Sequence, residues 1–135
     1  MRNAQVNIYD VEVIFDALHH SFSFEGDLNS ENLSIPVAVG VQMINFTLLT
    51  VHHEPSTSGA TFQFYPIEWI GAPDLVAARG AVGEWFDATH CRLVVFNSNT
   101  STAGIGYSFI MTVMFDGVAY STPDPTIINE PPVQD

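Results

Sequence analysis

The stretch IGYSFIMTVMFDGVAY, Ile105–Tyr120, decides the fold. Ile105, Tyr107, Phe109, Met111, Val113 and Phe115 alternate with Gly106, Ser108, Ile110, Thr112 and Met114. A period of two with one large apolar face is the pattern of a strand lying on a core. Asp116-Gly117 follows at once, then Val118-Ala119-Tyr120. A two-residue type I′ turn needs positive φ at both central residues, which Asp-Gly tolerates, so the stretch predicts a β-hairpin.

Upstream, Arg92–Phe96 reads as a second strand, and the polar run NSNTSTAG after it as a loop. Val39–Val51 reads as a long strand that is apolar on both parities, the pattern expected when both faces are covered. Near the start, Ala4, Val6 and Ile8 share one parity and Tyr9, Val11, Val13 and Phe15 the other. That phase change predicts a bulge or a bend between two sheets. Leu18–Phe24 and Thr61–Tyr65 predict shorter strands, and Glu84–Phe86 a further one. The only helical pattern is Asp74–Arg79, with Asp74 as cap and Gly80 as stop. Regularly spaced strands without alternating long helices predict an all-β fold, an antiparallel β-sandwich with at most one short helix. Residues 1–122 form its single domain. The tail, 123–135, is too rich in proline for a central strand and is expected on an edge, packed on the domain or at an interface.

A chain of 135 residues that is 47% apolar, with ten Phe, buries a core without metal or disulfide. Its apolar runs fall short of the roughly 20 residues that cross a bilayer. The start, MRNAQVNIYDVEV, lacks the apolar centre of a secretory signal, so a cytoplasmic location is expected. A lone cysteine, Cys91, excludes an intrachain disulfide and is expected to be a small buried hydrophobe beside Leu93 and Val95. Fifteen Asp and Glu face only Arg2, Arg79 and Arg92, with no lysine, for a net charge of −12. Nucleic acid and anionic membrane surfaces are thereby excluded as partners. Acidity of this size also discourages pairing between sheet edges.

Candidate chemistry is sparse. His19-His20 and His52-His53 carry four of the five histidines, and imidazole is a common metal ligand. Adjacent strand residues face apart, so each pair offers one ligand unless it sits in a turn. No His follows Cys91, which excludes a blue-copper site, and His90-Cys91 on a strand could not act as a nucleophilic pair. Glu25–Glu31 spaces oxygen side chains in alternation but lacks the features of an EF-hand, and reads as an acidic turn. Three glycosylation triplets begin at Asn32, Asn45 and Asn99 and are put down to chance. Trp69 and Trp85 would suit stacking on a sugar, although aromatics in an all-β core are the ordinary case. No phosphate-binding loop, GxSxG or HExxH occurs.

The tail carries the one specific motif: Asp124-Pro125, then Thr126-Ile127-Ile128-Asn129, then Glu130-Pro131. It resembles the closing motif of the small bacterial DP-EP family. The likeness continues loosely through Ser21–Phe24, Asp27-Leu28, Asn45–Leu49 and Tyr107–Phe115. A fainter likeness is to AidA or inclusion-body-type proteins. The resemblance implies an immunoglobulin-like sandwich and no particular activity. Pro125 and Pro131 fix φ and hold Asp124 and Glu130 extended, so the motif is expected to act as a rigid clasp. The expected function is a non-enzymatic structural or protein-interaction module without cofactor, assembling as a homo-oligomer with a dimer favoured. The alternative is a carbohydrate- or small-ligand-binding sandwich using Trp69, Trp85 and a histidine pair.

Overall fold

The computed structural model describes residues 6–29, 31–54, 58–70, 83–99, 106–123 and 125–130. Its strands are β1 (Val6–Asp16), β2 (Ser21–Gly26), β3 (Ser34–Val37), β4 (Gly40–Val51) and β5 (Thr61–Ile70). They continue with β6 (Gly83–Phe86), β7 (Arg92–Asn99), β8 (Gly106–Phe115), β9 (Val118–Ser121) and β10 (Thr126–Asn129). Among the described residues no helix is long and apolar enough to cross a membrane. The short helix expected at Asp74–Arg79 lies outside them.

The hairpin forms as its sequence dictates. β8 and β9 pair antiparallel down to Phe115 and Val118. Asp116 and Gly117 have φ of 51° and 76°, the signs a type I′ turn requires. Phe109, Met111 and Val113 are fully buried on the inner face of β8.

Two sheets share one core. The first runs β2-β1-β4-β7-β6, the second β3-β10-β8-β5, with β9 also on β8. The expectation of a purely antiparallel sandwich is corrected, because β1 pairs parallel with β4 and β10 parallel with β3. Alternation reports which face a residue takes and carries no information on strand direction. The intervening chain, here β2 and β3, returns β4 to the same starting edge as β1. Phe15, Ile44 and Phe46 of the first sheet meet Ile35, Phe62, Phe109 and Ile127 of the second. The Phe46 and Phe109 rings pack edge to face at 5.7 Å. A buried polar rung lies within the first sheet: Asn97 Nδ2 donates to Gln42 Oε1 at 2.7 Å, and Gln42 Nε2 to the Ala38 carbonyl at 2.6 Å. Both side chains are buried, so the satisfied pair fixes the β4–β7 register.

The two unusual apolar patterns resolve together. β1 has no bulge, since its register with β4 is unbroken from Val6↔Val41 to Asp16↔Val51. Val11, Val13 and Phe15 point inward, and Ile8 is left 60% exposed. β4 lies between two strands but has one open face, where Val41 and Leu49 are 38% and 42% exposed. Both strands are therefore apolar on two parities because the outer face of this sheet carries exposed hydrophobes. The irregularity lies in β5, whose register with β8 shifts between Phe62 and Ile67. Gly26 ends β2 at φ 109°, where a Cβ would strike the Asp10 carbonyl oxygen of β1.

The tail takes a more central place than its prolines predicted. β10 lies between β3 and β8, and Ile127 is fully buried. Val113 of β8 has Phe62 on one side and Tyr120 on the other. β9 and β10 thus lie end to end along the same side of β8. Between them, Thr122 exchanges two hydrogen bonds with Met111, its N–H to the carbonyl at 2.9 Å and its Oγ1 from the N–H at 3.0 Å. The Phe109 N–H donates to the Pro125 carbonyl at 3.1 Å. Proline removes a ladder donor only at its own position, and the motif's prolines flank the strand. On its other side β10 is laced to β3, with Thr126 N–H donating to Leu33 and Glu130 N–H to Val37.

Candidate functional site

The parallel pairing of β1 and β4 gathers the histidines. Their last residues, Asp16 and Val51, stand side by side. His19 and His20 follow the first, and His52 and His53 the second. β7 runs antiparallel to β4 and begins beside it at Arg92↔Thr47, which brings His90 to the same end. All five histidines of the chain therefore lie at one end of the two-layer fold.

Asp16 organises this end. Its Oδ1 accepts the N–H groups of Leu18 at 2.9 Å and His19 at 3.2 Å, closing the turn after β1. Its Oδ2 lies 2.9 Å from His19 Nδ1, and its Oδ1 lies 3.2 Å from His52 Nδ1. An ionised carboxylate only accepts, so both rings carry a proton on the Nδ1 that faces it. The His19 ring acts most strongly on the Asp16 carboxyl, and against the opposing effect of burial it holds the group far below the usual range together with the His19 N–H, the His52 ring and the Leu18 N–H. His19 and His52 side chains are 67% and 63% exposed.

The other histidines have separate roles. His20, at φ 55°, turns its ring over Tyr120 at 4.9 Å and over Phe15 at 6.2 Å. His53 Nδ1 lies 3.1 Å from the Glu54 carbonyl. The His90 carbonyl accepts from Phe62 N–H and the Cys91 carbonyl from Leu48 N–H, so this turn ties the two sheets together. Asp87 supports the turn, accepting from Thr89 Oγ1 at 2.9 Å and Cys91 N–H at 3.2 Å. Partial burial pushes its carboxyl up, but the hydrogen bonds, from Thr89 first, win and hold it low. Cys91 is half-buried just before β7 rather than fully buried in the strand.

Beside Asp16 lies a groove of about 590 Å³, walled by Leu18, His52, His53, Ser58, Phe115 and Asp116 among others. Sequence reading found the histidine pairs and missed Asp16, although an Asp followed by His at the third position in a polar turn was the available signal. Among the described residues no three His, Cys, Asp or Glu side chains are placed to hold a metal ion. The backbone of Trp69 lies opposite Phe109 in the second sheet, and that of Trp85 opposite Val94 in the first. Asn32 Oδ1 accepts from the N–H and Oγ of Ser34, and Asn45 is buried within β4. Of the tail motif, Pro125 is buried and Glu130 exposed, whereas Asp124 and Pro131 lie outside the described residues. No family model matches the chain, and no curated protein matches it significantly.

Proposed function

We propose that this protein is a non-enzymatic recognition module, an immunoglobulin-like sandwich of the DP-EP type, whose histidine end takes a small polar ligand. One observation carries the reading: a single carboxylate, Asp16, holds His19 and His52 from two different turns, and His52 lines the neighbouring groove. The groove falls within the size range of ligand sites. His52, Ser58 and Asp116 offer polar groups for hydrogen bonds, and Leu18 and Phe115 an apolar wall. Among the described residues, the Asp16 and Asp87 carboxyls are both displaced downward. Groups held ionised by turn hydrogen bonds suit anchoring, whereas a general acid at neutral pH needs a raised value. The tryptophan-based sugar site has less behind it, because Trp69 and Trp85 lie in different sheets. A lone, half-buried Cys91 fits a reducing cytoplasm.

The test is an NMR titration of the full chain with a panel of sugars, amino acids and nucleobases. The expected result is a ligand that shifts His19, His52 and Phe115 together and binds at least about tenfold more weakly to Asp16→Asn. Chemical turnover of a panel member would contradict the non-enzymatic reading. Binding indifferent to Asp16→Asn would remove the histidine end from it.

A further inference from the structure

The outer face of the first sheet, away from the histidine groove, carries two adjoining bands. Ile8, Met43 and Phe96 stand directly opposite one another on β1, β4 and β7, an apolar row across three strands. Ile8 and Phe96 are 60% and 37% exposed, and Val41 lies beside them, also exposed. Further along β7 the face is closed, since Val94 is fully buried, so the open part centres on β1 and β4. The row continues at Ile8 into a hollow of about 370 Å³ lined by Tyr9, Leu28 and Pro36, with Asp27 at its lip.

The second band is acidic. Glu12 of β1 and Glu25 of β2 are direct cross-strand partners, and both are exposed. Like charges placed opposite each other in a ladder destabilise it. Asp10 lies two residues from Glu12 on the same face. Asp27 is clamped beside it, accepting the Asp10 N–H at 2.8 Å. Asp10 itself accepts from Asn45 Nδ2, and Asn45 Oδ1 accepts from the Arg92 guanidinium. A row of exposed hydrophobes beside a self-repelling acidic band is complementary to a surface of opposite charge.

We propose that this face docks a partner protein through a basic, amphipathic segment, with apolar side chains on the Ile8–Met43–Phe96 row and Lys or Arg over the Glu12–Glu25 rung and Asp27. A second copy of this chain is the poorer occupant, since it would bring a net charge of −12 to an acidic rim. The hollow beside Ile8 adds to the fit. The stem of a long cationic side chain would lie on Leu28 with its head group at Asp27.

The probe is a fluorescein-labelled peptide alternating lysine and leucine, titrated into the full chain, with an alternating glutamate and leucine peptide as counterpart. The expected result is saturable binding of the basic peptide only, with NMR shifts confined to Ile8, Met43, Phe96 and the β1–β2 hairpin. Glu12→Gln with Glu25→Gln, and separately Phe96→Ser, should each weaken it at least about tenfold. Glu54→Gln, an exposed acid at the histidine end, should not. Equal weakening by Glu54→Gln would show mere charge attraction and overturn the proposal. Binding of both peptides alike would overturn it too. So would self-association that buries the row without peptide, or calcium ions alone shifting Glu12 and Glu25 while the peptide does not bind. None of these readouts depends on a ligand in the histidine groove.

Discussion

Two carboxylate arrangements on one strand behave in opposite ways. Asp16, at the end of β1, is surrounded by donors: two backbone N–H groups and two imidazoles. Glu12, four residues earlier, faces another glutamate across the ladder. The first arrangement satisfies a charge within the fold and uses it to shape two turns. The second leaves repulsion on the surface. Charge that holds the structure and charge offered to a partner can thus be told apart by counting donors around each group, without reference to net charge.

The core beneath both regions sets the scale for tests of this contrast. Ile127→Ala should cost about 2–5 kcal/mol in chemical denaturation, because it empties a fully buried site in the middle of the second sheet. A loss under about 1 kcal/mol would mean that β10 is the marginal edge strand its prolines implied. Next in size, Asp16→Ala should lower the melting temperature by several degrees, on the order expected for the loss of a turn-capping acceptor. It should also broaden the His19 and His52 resonances together. If only His19 responds, Asp16 does not join the two turns.

The Asp16 contribution should depend on pH with a definite sign. Its folded-state value is depressed below that of the unfolded chain. The stability it supplies is therefore fully present above about pH 4, the unfolded value, and is lost as pH falls below that towards the folded value. Acid melts of wild type and Asp16→Asn should converge as pH drops. A gap that stays constant to low pH would rule out this linkage. The smallest expected effect is the reverse in sign: Glu25→Gln should stabilise the protein by about 0.2–1 kcal/mol, and less at high salt.

Much of the fold could be read from the sequence because local chemistry and tertiary position agree. Asp116-Gly117 adopts the positive φ values its turn demands, and β2, β4, β5, β6 and β7 overlap the strands that apolar patterning predicted, with bounds shifted by a few residues. Direction was not legible, because parallel and antiparallel strands share one alternation. That gap concealed the site as well, since the parallel β1–β4 pair is what brings His19 and His52 to one carboxylate. The mistaken bend at Ile8 and the supposed double covering of β4 have a common cause. Both took exposed apolar residues for buried ones, and two of those residues, Ile8 and Val41, belong to the face proposed to dock a partner. Patterning fails where a surface serves something other than the fold. The tail was read as an extended clasp lying on an edge of the domain. Its interior place was hidden because Pro125 precedes the ladder that the tail's proline content was expected to break.

The contrast between the two arrangements is tested most directly by melting three single variants at low ionic strength: Asp16→Asn, Glu12→Gln and Glu25→Gln. Each removes one negative charge from the same hairpin. The account predicts a lower melting temperature for Asp16→Asn and a higher one for both glutamate variants. A shift of the same sign in all three would show that only net charge matters, and would contradict the division between charge that builds the fold and charge held out to a partner.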